Sequence, residues 1–116
     1  MKQGPDRAQR KNGLVWWRMS QEGQSEISEA TQTKEACSLA EEMGYDVPAE
    51  YVLGTEWDSL SLWDSPAFQR VRELISTGEV DAVFMYDPDR GPSKPVQRLL
   101  FRDLCEEAGV KVFCRH

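Results

Sequence analysis

Apolar and polar residues alternate along the chain in blocks that predict strands and helices in turn. Residues 13–19 form an apolar run rich in β-forming side chains, which predicts a first strand. Residues 29–43 carry apolar positions at helical spacing and precede Gly44, a typical helix stop, so they predict a first helix. The polar residues 20–28 between them predict a loop, and residues 51–53 predict a short second strand.

The second half of the chain continues this alternation. Ser65 and Pro66 predict the start of a second helix, with the serine as N-cap and the proline as first helical residue. Residues 80–86 are nearly all apolar, as expected of a strand that is covered on both faces. A third helix is expected at about residues 95–108 and a last strand at residues 110–114.

Two of these helices carry apolar stripes that predict which of their faces is buried. In the second helix the stripe consists of Phe68, Val71, Leu74 and Ile75. In the third helix the inward positions are expected to be Val96, Leu99, Leu100 and Leu104.

Together these elements predict an α/β fold of three layers. We expect a mainly parallel sheet of four strands, or slightly more, flanked by helices. In such sheets, ligands bind outside the carboxyl ends of the strands. Residues 20–24 follow the first strand and residues 87–94 follow the third, and both stretches are polar. The functional site is therefore expected to combine these two loops.

The first of these loops places a hydroxyl close to a guanidinium. Arg18 and Ser20 are two residues apart, so in a strand they share a face. A guanidinium beside a hydroxyl is suited to phosphoryl chemistry, because it binds phosphate oxygens and stabilises negative charge. The Arg-x-Ser pattern is short, however. By itself it favours a structural interpretation, in which Ser20 caps a turn and Arg18 pairs with a carboxylate.

The second loop reads Asp87-Pro88-Asp89-Arg90. Two carboxylates after a strand are suited to Mg²⁺, which prefers oxygen ligands. Aspartate and proline also form solvated turns, and a turn is favoured over a metal site on these residues alone.

The composition is that of a single globular domain. The 116 residues are 40% apolar and 29% charged, and no apolar run approaches the roughly 18 residues of a membrane span. The N-terminal residues lack the apolar region of a secretory signal. Cys37, Cys105 and Cys114 are an odd number without metal-ligand spacing, which predicts reduced thiols. We expect a cytoplasmic protein that does not contact a membrane.

The net charge of −6 is unusual for a protein that holds nucleic acid by itself, since neutralised phosphates supply most of that affinity. Residues 1–12 carry four basic side chains and one acidic one, a net charge of +3, which leaves −9 on the remaining 104 residues. We therefore divide the chain into a flexible basic tail, residues 1–12, and a folded domain, residues 13–116.

Several motifs along the chain match one family in order and position. They include Trp17-Arg18-Met19-Ser20 with Gln24, Glu35-Ala36-Cys37 through Gly44-Tyr45, Ser65-Pro66-Ala67-Phe68-Gln69, Gly78-Glu79-Val80-Asp81-Ala82-Val83, Tyr86-Asp87-Pro88-Asp89-Arg90 and Glu106-Glu107-Ala108-Gly109-Val110. In this order they resemble the catalytic domain of the serine site-specific recombinases, the resolvase and invertase family with its large phage-integrase branch. The resemblance covers nearly the whole chain, about residues 14–113.

The resemblance implies cleavage and exchange of DNA strands without a metal or another cofactor. A serine attacks a phosphodiester, forms a phosphoserine link to the 5′ end and releases a 3′ hydroxyl. The residues that would carry this chemistry are Ser20 as nucleophile, Arg18 and Arg90 on the phosphate, Lys94 as a further phosphate contact, Gln24 in support, and Asp89 to orient or accept a proton. The implied partners are DNA and further copies of the chain.

Some positions depart from the family pattern. Ser65 and Ser93 stand where the family usually has arginines, and Lys94, beside Ser93, lacks the fork geometry of arginine. Glu56 replaces a usual aspartate, Ser59 matches a family serine, and Trp16 replaces a tyrosine. A glutamine that the family has near the first helix appears as Thr33, with Gln32 adjacent.

These departures leave alternative functions open. One is a catalytically inactive recombinase remnant that acts as a protein-interaction module. Another is a flavodoxin-like domain in which Arg18 and Arg90 bind an anionic small molecule, although the chain lacks a glycine-rich phosphate loop. The family continues beyond the last predicted strand into a dimerising helix and a DNA-binding region, so we expect the 116 residues to correspond either to a fragment of a longer protein or to a decayed remnant of one.

Overall fold

Strands and helices alternate along the part of the chain that the computed structural model describes, residues 11–19, 27–56 and 62–116. The strands are β1 (Lys11–Arg18), β2 (Tyr45–Asp46), β3 (Val52–Thr55), β4 (Ala82–Met85) and β5 (Lys111–Cys114). The helices are α1 (Glu29–Glu42), α2 (Pro66–Ser76) and α3 (Pro95–Ala108). Short 3₁₀ turns occur at Ala49–Tyr51, Leu62–Asp64 and Pro88–Arg90.

The sheet is parallel at each of these strand pairings, and β1 lies at its centre. The strand order is β2-β1-β4-β5, and β3 pairs with the carboxyl-terminal half of β1 on the same edge as β2. The α/β fold with a mainly parallel sheet is thus confirmed. The two-residue strand β2 was not predicted. Strand β1 begins at Lys11, two residues earlier than expected, and Asp81 extends this end by accepting from Asn12 N–H and donating to the Asn12 carbonyl.

The alternation of side chains along β1 and β4 divides the core between the two faces of the sheet. Leu14 and Trp16 on β1 join one buried cluster, together with α2 and α3. Val15 on β1 and Phe84 on β4 join the other cluster, which packs beneath α1. Successive residues of a strand point to opposite faces, and here they are apolar, so both faces of the sheet are apolar. Helices cover both faces, and the domain therefore has three layers.

Helix α2 follows its predicted pattern. Ser65 is the N-cap, its side chain accepts from Phe68 N–H, and Pro66 is the first helical residue. The predicted stripe is fully buried and consists of Phe68, Val71, Leu74 and Ile75. Helix α1 instead buries Gln32, Ala36 and Ala40, so one polar residue belongs to its inward stripe.

Helix α3 does not bury the face that its sequence predicts. Val96, Leu99 and Leu100 are 68%, 57% and 48% exposed, so their predicted inward position is wrong. The residues that α3 buries are Phe101 and Cys105, with Leu104 partly covered. The apolar positions of α3 form a stripe wider than the surface available to it, and packing against α2 and β5 selects the side carrying Phe101 and Cys105.

Cys37, Cys105 and Cys114 are free thiols. Burial, with a smaller contribution from the charge of Glu106, raises the pKa of Cys105 to about 11. Burial also raises the pKa of Cys37. Within residues 11–19, 27–56 and 62–116, no helix has the length and apolar character needed to cross a membrane.

Candidate active site

The carboxyl ends of β1 and β4 bring two arginines together. In the register of these neighbouring strands Trp16 pairs with Met85, so Arg18 lies beside the segment that follows β4. That segment forms the 3₁₀ turn Pro88–Arg90, which directs Arg90 back towards β1. Arg18 and Arg90 are only 8% and 9% exposed, although each is charged.

The guanidinium of each arginine donates hydrogen bonds to main-chain carbonyls at or next to the other arginine. Arg18 Nε donates to the Arg90 carbonyl at 3.2 Å, and Arg18 Nη2 donates to the Asp89 carbonyl. In return, Arg90 Nη1 donates to the Arg18 carbonyl at 3.0 Å. These carbonyl acceptors orient both guanidiniums, and Arg90 also forms an ion pair with Asp87. The two guanidiniums are therefore fixed at the end of β1, whose last residue, Arg18, precedes Ser20 by two positions.

The two aspartates of this turn play different parts. Asp87 Oδ1 accepts from Arg90 Nε at 3.2 Å and from Asp89 N–H at 3.1 Å, so Asp87 holds both the turn and the guanidinium. The Asp89 side chain is exposed, and its main-chain carbonyl oxygen accepts a hydrogen bond from Arg18 Nη2. The charge of Asp87 also adds to the effect of burial in raising the pKa of the nearby Cys114 thiol.

Of the remaining predicted site residues, the structure describes Lys94. Lys94 is exposed and is the N-cap residue of α3, without a side-chain capping hydrogen bond. Ser20 and Gln24 lie outside the described residues. The structure thus brings together Arg18, Arg90 and the Asp87–Asp89 turn. Among the described residues, no group of three or more His, Cys, Asp or Glu side chains is arranged to hold a metal ion.

Two buried residues of this region were not predicted as part of the site. Trp16 Nε1 donates to the Arg90 carbonyl at 2.8 Å, which links the core to the arginine pair. Gln32 on α1 hydrogen-bonds both the N–H and the carbonyl of Arg18. A tryptophan inside an apolar strand signals such a bond, since its N–H needs an acceptor when buried. The signal for Gln32 was weaker. The family pattern has a glutamine near the first helix, but the resemblance placed Thr33 at that position, and a glutamine on a helix is usually exposed.

The positions that depart from the family pattern differ in their surroundings. Ser65 is 0% exposed and occupied as a helix cap, and its Oγ donates to the Leu62 carbonyl at 2.8 Å. Ser93 is exposed, and its carbonyl accepts from Arg98 Nη2 at 2.8 Å. Glu56 is also exposed, whereas Ser59 lies outside the described residues.

The sequence matches the family model for the N-terminal domain of resolvases over residues 14–116. The chain belongs to this family. It is a resolvase-family catalytic domain of the kind found in serine recombinases, and family membership supports action on DNA and oligomerisation. Comparison with curated protein sequences gives no significant match.

Solved structures of serine recombinases share the fold. The C-terminal catalytic domain of ISC1926 TnpA, an IS607-like serine recombinase, is 21% identical with a TM-score of 0.77, covering 92% of this chain and 70% of that one. The N-terminal catalytic domain of TP901-1 integrase is 21% identical with a TM-score of 0.75, covering 90% and 77%. A serine recombinase from Sulfolobus solfataricus is 18% identical with a TM-score of 0.64, covering 90% and 69%.

Proposed function

We propose that this resolvase-family domain cleaves and rejoins DNA strands with Ser20 as nucleophile. The observation that carries the proposal is the interlocked pair Arg18 and Arg90, two nearly buried cations fixed where β1 leads into Ser20. Phosphodiester transesterification spreads negative charge over the phosphate oxygens of its transition state, and preorganised guanidiniums stabilise that charge.

In the proposed reaction the Ser20 hydroxyl attacks phosphorus and the bond from phosphorus to the 3′ oxygen breaks. The serine proton passes to Asp89 or to water, and the leaving 3′ oxygen takes up a proton. A phosphoserine link to the 5′ end results, and attack by a 3′ hydroxyl reverses it. Arg18 and Arg90 bind the phosphate, Lys94 adds a further contact and Gln24 supports the nucleophile.

The net charge of −6 supports the proposal that other regions contribute most of the affinity for DNA. Apart from residues 1–12, with a net charge of +3, the chain carries −9. We assign residues 13–116 to catalysis and the first twelve, the last two of which begin β1, to an accessory basic segment. Firm DNA binding then depends on additional regions or on further copies of the chain, and this domain alone binds DNA weakly and mainly at the scissile phosphate.

A second candidate function is that of an inactive relative that associates with other proteins. The observation in its favour is Ser65, which is fully buried as a helix cap where the family usually has an arginine. Removal of one charge-stabilising donor typically lowers a rate by about 10²–10³, so the absence of arginines at Ser65 and Ser93 bears directly on activity.

Covalent trapping distinguishes the two candidates. A suicide DNA duplex with a bridging phosphorothiolate accumulates the phosphoserine adduct, because the sulfur leaving group does not religate. We expect an adduct with the wild-type chain that is lost in Ser20→Ala and reduced about 10²-fold or more in Arg90→Lys. Arg98→Lys, on the exposed surface of α3, is the matched control. If no adduct forms even after fusion to a dimerising helix and a DNA-binding module of known target, the inactive relative is the correct function.

A further inference from the structure

Gln32 is a polar residue in the apolar inward stripe of α1. It is 1% exposed and lies one turn before Ala36 and two turns before Ala40, both of which are fully buried. Burial of an amide is unfavourable unless its groups are hydrogen-bonded. Its Oε1 accepts from Arg18 N–H at 3.0 Å, and its Nε2 donates to the Arg18 carbonyl at 3.1 Å and to the Ile27 carbonyl at 2.9 Å.

These bonds take the place of strand-to-strand hydrogen bonds at the end of β1. Met19 N–H donates to the Thr55 carbonyl on the β3 edge, so the main chain of Arg18, one residue earlier, faces the β4 edge. On that edge the pairing stops at Trp16 and Met85, because β4 ends there. The amide of Gln32 supplies the acceptor and the donor that another strand residue would have given.

The same carbonyl also connects Gln32 to the second arginine. The Arg18 carbonyl accepts from Gln32 Nε2 and from Arg90 Nη1, at 3.1 and 3.0 Å. Through its third bond, to Ile27, the amide fixes the start of α1 as well. One buried side chain thus joins the end of β1, the turn after β4 and the beginning of α1.

We propose that Gln32 is a positioning residue, which fixes the main chain of Arg18 and thereby aligns the guanidiniums of Arg18 and Arg90 for the phosphate. The catalytic part of this statement rests on the proposed function. Gln32 acts through the arginines, without touching the reacting atoms. Because a displacement of about 1 Å costs about 10² in rate, loss of the amide lowers the rate of cleavage far more than the affinity for DNA.

The test replaces the amide while preserving its shape. Gln32→Met keeps the length of the side chain and its helix propensity but removes all three hydrogen bonds. Gln32→Glu keeps the acceptor for Arg18 N–H and loses the donors. The matched control is Gln69→Met on α2, where an exposed glutamine Nε2 donates to the Asp64 carbonyl at 3.0 Å. Variants are compared under conditions in which urea titration shows equal folded fractions.

The first measurement does not depend on activity. Proton exchange is followed by NMR at the Arg18 main-chain amide and at the Nε–H groups of Arg18 and Arg90, assigned from Arg18→Lys and Arg90→Lys. We expect exchange of the Arg18 amide to be about tenfold faster or more in Gln32→Met, with shifted Nε–H resonances, and no change in Gln69→Met. Unchanged exchange and unchanged resonances in Gln32→Met would overturn the proposal.

The second measurement uses the trapped DNA adduct. We expect Gln32→Met to lower the maximal rate of adduct formation by about 10²-fold and to leave the half-saturating DNA concentration within about twofold of wild type. The maximal rate of Gln32→Glu should lie between those of wild type and Gln32→Met. A Gln32→Met variant as fast as wild type would refute the catalytic part. An inactive wild-type chain would instead contradict the proposed function, and the NMR exchange rates would still decide whether Gln32 positions the arginines.

Discussion

Replacing Ser65 tests whether this position can accept the arginine that the family usually carries there. Ser65 is 0% exposed, its Oγ accepts from Phe68 N–H at 3.3 Å, and it donates to the Leu62 carbonyl at 2.8 Å. Loss of an N-cap costs about 1 kcal/mol, and loss of the second hydrogen bond costs about 1 kcal/mol more. Ser65→Ala should therefore lower the free energy of unfolding by about 2 kcal/mol. Ser65→Arg adds overpacking and a buried guanidinium, and should cost at least about 3 kcal/mol.

Urea denaturation followed by circular dichroism gives these free energies, and thermal melting should show a drop of about 8 °C for Ser65→Ala. Ser93→Arg is the matched substitution at an exposed position, and its unfolding free energy should stay within about 0.5 kcal/mol of wild type. We also expect Ser93→Arg, unlike Ser65→Arg, to speed up adduct formation. An unfolding free energy of Ser65→Arg equal to that of wild type would refute this reasoning, because the side chain would then have room to leave the core.

Three further predictions concern the core, a thiol and a surface ion pair. Trp16→Phe removes the hydrogen bond to the Arg90 carbonyl and part of a buried ring, so urea denaturation should show a loss of about 2 kcal/mol; a loss below about 0.5 kcal/mol would contradict the role given to this bond. Burial raises the pKa of Cys105 to about 11, so its alkylation by iodoacetamide, followed by mass spectrometry, should remain slow at pH 8–9. Rapid labelling of the folded protein in that pH range would be inconsistent with a buried thiol. Hydrogen bonds from Arg115 lower the pKa of Glu42, so their stabilising effect should be complete above the unfolded pKa of Glu42 and disappear as pH falls through its folded pKa. The small difference in unfolding free energy between wild type and Glu42→Gln should follow this course, and a difference that persists at pH 2 would argue against the ion pair.

Local sequence determined most of the secondary structure. Ser65 and Pro66 marked the start of α2 because capping chemistry depends on a few neighbouring residues. The apolar run before the Asp-Pro-Asp-Arg turn marked β4, since a strand covered on both faces has no polar alternation. The parallel α/β arrangement followed from the alternation of strands and helices, and the family was identifiable from ordered motifs that span nearly the whole chain.

Tertiary structure decided which apolar residues are covered and how the charged ones are held. Helical spacing placed Leu99 and Leu100 inward, but packing of α3 against its neighbours turned them towards solvent, because a periodicity defines a stripe and not its contact. The guanidiniums of Arg18 and Arg90 each donate to the main-chain carbonyl of the other arginine, more than 70 residues away in sequence, and no local pattern predicts such bonds. Gln32 is the clearest case. The resemblance placed the expected family glutamine at the neighbouring Thr33, and only the structure shows that Gln32 hydrogen-bonds the main chain of Arg18, where β4 ends before β1 does.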